Sequence, residues 1–329
     1  MTASHRHGVH RRLVVHALAS LGVLGGAAGA RAQSDKVVRI ILPNATGSGV
    51  DAITRAAQNA LGKALGASVI VDNQPGAGGI VGLSALARSA PDGSTFSIVS
   101  NNVVIFPSVY KSLPFAMPGD FTPIAVCGYT PMILVVHPKV AATNSRELIA
   151  LMKAKPGELN YASGGNGTIL HLATELYLDE AGVKAPHIPY KGVGPMLTDL
   201  IGGQVQFATA ALPSVQAHLK SGALRAIGTT TAQRIAAAPE IATFAEQGLP
   251  NVVIDAWFAV LGPKGLPAAQ VQRIHDAVAA AFAAPDVKEM MAKQGNVIDV
   301  GSTEQAGAFF RSEMTRYAAL VKKAGIELQ

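Results

Sequence analysis

The sequence predicts an α/β fold in two lobes joined by two crossover segments. The sheets are expected to be parallel-rich, with helices on both faces in each lobe. Three observations predict this. Strand-like and helix-like segments alternate along the chain, the pattern of sheets built with crossover helices. Two long extended apolar stretches, 124–136 and 252–261, bracket an internal alternating series. Glycine-rich turns recur where a strand-like run passes into an amphipathic helix. They are Ala45-Thr46-Gly47-Ser48-Gly49, Pro75-Gly76-Ala77-Gly78-Gly79 and Ser163-Gly164-Gly165-Asn166-Gly167-Thr168.

Each element follows from a local pattern. Residues 37–42 form a nearly continuous apolar run, as in a strand buried on both faces. Helical spacing over 51–65 places Ile53, Ala57, Ala60, Leu61 and Ala64 on one side. A strand at 69–71, a helix at 80–88 and a strand at 96–100 complete a βαβαβ series. The turn Pro91-Asp92-Gly93 has the right chemistry to punctuate it. The 124–136 stretch is broken by Gly128 and Pro131, as expected of a segment that leaves one lobe for the other. The second series predicts helices at 146–154, 169–178, 196–201 and 215–219. Its strands are predicted at 159–162, 187–190, 205–209 and 224–229. Trp257 lies in the second long stretch. Two helices, 268–284 and 304–324, are expected to close the chain, with Pro285 ending the first. The expected division is 33–132 plus 253–329 for the first lobe and 133–252 for the second.

Composition narrows the partners. The chain has 329 residues, 49% hydrophobic and only 5% aromatic, which argues against a base-stacking platform. The formal charge is +6. Arg6, Arg11, Arg12 and Arg31 lie in the first thirty-two residues, which hold no acid, and the remainder is nearly balanced. Without a Lys/Arg run, nucleic acid and anionic membrane are not expected partners. Residues 1–32 read as a secretory signal, with a basic n-region, an apolar small-residue segment from Leu13 and the cleavage pattern Ala30-Arg31-Ala32. The mature chain then starts at Gln33. The pair Arg11-Arg12 also suits a twin-arginine signal, and a Sec signal suits the segment equally. Cys127, the single cysteine, sits in an apolar run and reads as a buried small hydrophobe.

Glycine turns at helix N-termini suit an anion held by main-chain donors. Enzyme motifs do not fit them. No turn places a lysine as a P-loop requires. Gly76 and Gly78 begin a dinucleotide fingerprint, but Val81 occupies the third glycine position. Neither Ser48 nor Ser163 has the glycine spacing of a hydrolase elbow. His137, His171, His187, His218 and His275 are scattered singly, so no metal or catalytic site is expected, and no cofactor. His171 and Glu175 share a helix face and read as a surface or capping pair. Asp51 reads as a helix cap. Lys191 reads as a solvated lysine beside a turn, with a cleft lysine steering anions as the less favoured alternative. The pattern favours binding over catalysis.

Longer stretches carry a resemblance. They are Val71-Asp72-Asn73-Gln74-Pro75-Gly76-Ala77-Gly78-Gly79, Ala87-Arg88-Ser89-Ala90-Pro91-Asp92-Gly93 and Leu159-Asn160-Tyr161-Ala162-Ser163-Gly164-Gly165-Asn166-Gly167-Thr168 with His171-Leu172. Pro189-Tyr190-Lys191-Gly192, Leu197-Thr198-Asp199-Leu200-Ile201-Gly202-Gly203-Gln204-Val205 and Leu212-Pro213-Ser214 follow in order. The chain resembles the solute receptors of tripartite tricarboxylate transporters, the Bug family of exported binding proteins.

The resemblance implies a two-lobed periplasmic binding-protein fold of type II-like form that closes around a small carboxylate. It implies a periplasmic monomer that passes ligand to the permease subunits of a tripartite carrier. Carried over, Thr46, Gly47 and Ser48 grip from one lobe, and Ser163, Gly164, Asn166, Gly167 and Thr168 from the other. Asn44, Ala45, Asn101, His171, Ala210 and Ala211 complete the candidate ligand-binding set. The Gly76–Gly79 turn is expected to pack beside the first jaw and not to grip.

Two departures bear on the ligand. Asn44 stands where relatives usually carry an aromatic residue. Ala210-Ala211 stands where many carry an Asp-Asn type pair. An ammonium there would lack a carboxylate partner, so a di- or aromatic carboxylate is expected in preference to an amino acid. A ligand-binding partner of a periplasmic sensor, and an enzyme on the same α/β frame, are the alternatives.

Overall fold

The computed structural model describes residues 36–326 and 328. The expected secretory signal and its expected cleavage point lie outside them. The first part of the fold runs β1 (Val37–Leu42), α1 (Gly49–Leu65), β2 (Ser68–Asn73), α2 (Ile80–Ala87), β3 (Thr95–Ser100), α3 (Asn102–Ile105) and β4 (Phe121–Thr130). The second runs β5 (Met132–Val136), α4 (Ser145–Ala154), β6 (Tyr161–Ser163), α5 (Ile169–Ala181), β7 (His187–Pro189), α6 (Val193–Ile201), β8 (Phe207–Ala211), α7 (Leu212–Lys220) and β9 (Arg225–Thr229). The chain closes with β10 (Ala256–Pro263), α8 (Ala268–Ala283), α9 (Pro285–Lys293), β11 (Val297–Ile298) and α10 (Thr303–Lys323).

The strands form two sheets. The first has the order β11-β4-β10-β3-β1-β2, the second β7-β6-β8-β5-β9. The βαβαβ segment builds the expected parallel part, β2-β1-β3. The sheets as wholes are mixed, which corrects the parallel-rich expectation. β10 is antiparallel to both β3 and β4, and β5 is antiparallel to both β8 and β9. The reason is connectivity. β4 carries the chain out of the first sheet and β10 brings it back, so they run in opposite directions side by side.

Alternation of side chains explains the layers. In β1, Ile40 and Leu42 face a cluster with Ile53, Leu61, Val278 and Phe282 from α1 and α8. Ile41 faces the other way, into a cluster with Leu83, Val103, Phe310 and Tyr317. In β5, Leu134 and Val136 meet Leu148, Tyr177 and Phe244. Ile133 and Val135 join the same cluster as Ile41. Helices therefore cover both faces of each sheet, and one apolar cluster is continuous from the first sheet to the second. Cys127 is buried in β4, and burial pushes its thiol up.

Two details differ from the sequence reading. A third helix, α9, lies between the two expected to close the chain. Pro285 does stop α8, but it is also the first residue of α9, a place where its missing N–H and fixed φ do no harm. Asp51 is not the cap of α1. Ser48 caps it, with Oγ accepting from Asp51 N–H at 3.2 Å, and Asp51 reaches back to accept from Gly47 N–H at 2.9 Å.

The two crossings are tied together. Pro131 alone separates β4 from β5. Thr230 N–H donates to Met132 O at 3.1 Å, and Ile254 N–H donates to Thr230 O at 3.0 Å. Asn101, fully buried, accepts from Trp257 N–H at 2.9 Å and donates to Asp255 O at 3.1 Å; its amide also meets the Tyr317 hydroxyl. Trp257 Nε1 donates to buried Glu313 of α10 at 2.8 Å. Replacing Asn101 with Ala strands the Trp257 N–H in the interior. Asn101→Ala is expected to lower the unfolding free energy by about 1–3 kcal/mol in denaturant titration.

Candidate functional site

A cavity lies between the two sheets at the ends of several strands, enclosing about 750 Å³ of non-atom space that is partly continuous with solvent. Its walls come from four helix starts. Ser48, Gly49 and Val50 come from α1; Thr168, Ile169 and Leu170 from α5; Gly192 and Val193 from α6; and Ala211 and Ser214 from α7. Pro43, Asn44, Ala45, Pro75, Gly76, Gly78 and Gly79 continue the rim. Met132, Ala256, Trp257 and Phe258 supply apolar surface.

The convergence follows from the local sequence. Each helix begins where a strand ends, so its unpaired N–H groups face the crevice beyond the sheet. The N–H groups of Gly49 and Val50, and of Val193 and Gly194, lie in first turns and have no partner among the described residues. The aligned peptide dipoles add positive potential there. The lining holds no aspartate or glutamate, and its one charged side chain is Lys191. Lys191 is exposed, as a solvated lysine would be, yet it borders the cavity and forms no ion pair among the described residues. Three buried polar atoms of the lining also lack a hydrogen-bond partner among the described residues: Asn44 Oδ1, Thr130 Oγ1 and Ser214 Oγ.

Glycine is required where the walls meet. A Cβ on Gly192, at φ +123°, would stand 2.7 Å from Ala45 Cβ. From Gly76 to Gly79 four successive residues have positive φ, Ala77 among them at 45°. That turn packs against Pro43, as expected of an element beside the first jaw, and it also lines the cavity wall. It also touches the third turn, since a Cβ on Gly165 would lie 3.4 Å from Gly78. Asn102 clasps the two, donating to Gly78 O at 3.2 Å and accepting from Ile169 N–H at 2.9 Å.

The residues predicted from sequence divide into two groups. Asn44, Ala45, Ser48, Gly164, Thr168 and Ala211 line the cavity. Thr46, Gly47, Asn101, Ser163, Asn166, Gly167, His171 and Ala210 lie outside the lining. Asn101 is held by the crossing, and its neighbour Asn102 is the one that borders the cavity. Ser163 is fully buried; its hydroxyl donates to Gly165 O at 3.0 Å and lies 2.7 Å from His187 Nε2. Asn166 O accepts from the Tyr110 hydroxyl at 2.9 Å. Even within the lining, the Thr168 hydroxyl is engaged, donating to Gly165 O and accepting from His171 N–H.

His171 and Glu175 are not a surface pair. His171 is buried and stacks on His187 at 4.0 Å between centroids, with Tyr161 beside both. His171 Nδ1 accepts from Gly167 N–H at 3.2 Å, which leaves Nε2 to carry the proton, 3.9 Å from Glu175. The Tyr161 hydroxyl donates to Glu175, whose carboxyl burial pushes up. Desolvation, then the neighbouring imidazole, lowers His171 to about 3; desolvation lowers His187 to about 4. These neutral rings support the third glycine turn from beneath. Sequence reasoning passed over Thr130, Met132 and Asn102, which carry no motif. It quoted Ser214 only within Leu212-Pro213-Ser214, and preferred a solvated Lys191 to one at the cleft, where the structure places it.

The histidine pair sets a pH dependence. Both imidazoles bind protons more weakly when folded than when unfolded. Their contribution is complete above the unfolded value of about 6.5 and is lost as pH falls toward 4 and then 3. Unfolding free energy measured from pH 7 to pH 4 is expected to fall more steeply in the parent than in a His171→Asn, His187→Asn double variant.

Comparison with known proteins places this geometry. Residues 53–326 match the family model described as the tripartite tricarboxylate transporter family receptor. The chain is 34% identical over 294 residues to Protein BugT of Bordetella pertussis, covering 89% of this chain and 90% of that one. The fold superposes on a Rhodopseudomonas palustris protein solved with adipate, with a TM-score of 0.85, 30% identity, and coverage of 89% and 98%. It also superposes on MatC from Rhodopseudomonas palustris with bound malate, with a TM-score of 0.79, 25% identity, and coverage of 87% and 98%. A periplasmic binding-protein fold whose glycine turns open helices into one crevice thus has its place: the chain belongs to the receptor family of the tripartite tricarboxylate transporters.

Proposed function

We propose that this protein is an exported receptor that binds a small organic carboxylate by hinge closure and delivers it to a tripartite carrier. One observation carries the reading: uncommitted main-chain donors of α1 and α6 meet at a cavity that holds a lysine and no acid. A carboxylate there accepts from the Gly49, Val50, Val193 and Gly194 N–H groups. Each helix start contributes about 0.3–1 kcal/mol, more where the site is desolvated. Because α1 belongs with the first sheet and α6 with the second, the anion is shared across the crevice. That sharing makes closure depend on ligand. Pro131 and the 254–255 segment are the natural hinge positions, as the places where the chain changes sheet. The adipate- and malate-bound family structures support the ligand class.

Lys191 adds charge without a rigid grip. An exposed ammonium is screened, so its share is about 1 kcal/mol. An amino-acid ligand is disfavoured, because its ammonium finds no carboxylate in the wall.

A thermal-shift and calorimetric screen against organic acids tests the reading. At 100 times its dissociation constant, a true ligand raises the unfolding free energy by about 2.7 kcal/mol, with no chemical turnover. Lys191→Ala is expected to weaken the carboxylate about fivefold, and Lys191→Arg to retain most of the affinity. Tight binding of aspartate or glutamate without binding of unaminated acids would reject the ammonium argument.

A further inference from the structure

The β11 edge of the first sheet carries a row of side chains that its covering helix leaves partly bare. Trp257 of β10, Tyr129 of β4 and Val297 of β11 stand directly opposite one another on three adjacent strands. Residues opposite one another in antiparallel strands project to the same face. α10 covers that face at the inner end. Trp257 packs edge-on to Phe309 and Phe310, and its Nε1 donates to Glu313 at 2.8 Å. The cover then runs out. Exposure rises along the row from 2% at Trp257 to 37% at Tyr129 and 61% at Val297. A lone exposed valine needs no explanation, but a row with an aromatic ring and a ring of acids around it does.

The charges that act on the Tyr129 hydroxyl are Glu313, Asp299 and Asp255, against the single cation Arg316. Arg316 is already committed to Glu313 at 3.3 Å. Asp255 and Asp299 form no ion pair among the described residues. Burial raises the Asp255 carboxyl above its ordinary range, against the pull of Arg316. Two uncompensated acids beside an apolar row suit a partner that brings a cation flanked by apolar surface. The same acids repel an anionic membrane surface. They also set like charges face to face in a two-fold pairing of two copies. The position is equally specific. Tyr129 lies two residues before Pro131, and Asp255 lies on the return crossing, so the patch straddles both hinge positions. None of these residues except Trp257 lines the cavity. We infer that Tyr129, Val297, Asp255 and Asp299 form a docking surface for a membrane subunit of the carrier that presents a lysine or arginine beside an apolar side chain. Because the surface spans the two crossings, its shape follows the closure of the lobes, and the partner reads that closure.

The surface depends on the carrier-delivery reading, and one experiment separates the two. Native cells lacking their own copy of the gene receive the parent, Val297→Ser or Asp299→Lys, both at exposed positions. The probe is the organic acid that gives the largest thermal shift. Its dissociation constant is measured on purified protein and its uptake on the cells. Both variants are expected to bind the acid within about twofold of the parent. Uptake at limiting acid is expected to fall about tenfold. A photo-crosslinking p-benzoylphenylalanine at position 297 is expected to mark a membrane subunit of the carrier, on a peptide that holds a lysine or arginine. Changing that basic residue to glutamate should restore uptake to Asp299→Lys. Where Val297→Ser does not fold, Tyr129→Ser carries the same expectation. Uptake at the parent's level in the variants overturns the docking surface and leaves the receptor reading standing. So does a crosslink to lipid or to a second copy of this chain. A parent that binds the acid but restores no uptake overturns delivery, and the docking surface with it.

Discussion

β4 and β10 lie side by side in opposite directions, and this pairing holds the two sheets in one molecule. Eight residues of β10, Ala256 to Pro263, pair with β4 between Thr130 and Phe121. The ladder shifts register twice, between Phe258 and Ala259 and between Val260 and Leu261. Such irregularities bend and twist a strand pair. Past the end of the ladder one strand passes through Pro131 into the second sheet, while the other arrives from it. Buried side chains from the residue after β3 and from α10 secure the junction. Asn101 takes the Trp257 N–H, and Glu313 takes the indole. Polar groups buried this deeply are stable only because they are paired, and their pairing sets one geometry for the crossing.

The cavity inherits that geometry. Thr130, Met132, Ala256, Trp257 and Phe258 all belong to the crossing and all line the wall. The glycine turns arrive from both sides. Close approach at Gly192 and Ala45, and at Gly78 and Gly165, lets main-chain donors of separate elements face one volume. Side chains do comparatively little of the gripping here. Many polar ones near the turns are tied up in shaping the turns themselves, as with Ser163, Thr168 and Asp51. The hydroxyl and amide oxygens left over are the informative ones, because they lie in the cavity wall with nothing among the described residues to meet them.

The βαβαβ segment, the recurrent glycine turns and the long stretch broken at Pro131 were legible in the sequence. Strand-length apolar runs and helical spacing are local properties, and a local property survives being read one segment at a time. The segment between Pro285 and Lys293 escaped notice because Pro285 was read only as a stop, when the same residue also starts a helix. His171 was misjudged for a different reason. Its spacing to Glu175 described one helix correctly, but the partner that buries it, His187, lies on a different element.

The sequence by itself determined the alternation of strand and helix, the helix starts with their orphan donors, and the family to which those turns belong. Those follow from backbone preferences and side-chain spacing within a few residues. Only the tertiary structure decided which starts face each other, that Asn102 and not Asn101 borders the cavity, and that Thr130 and Ser214 share its lining with unmet hydroxyls. These depend on residues far apart in the chain meeting across a crossing. No local pattern encodes such a meeting, because it is decided by how two sheets pack around the β4–β10 ladder.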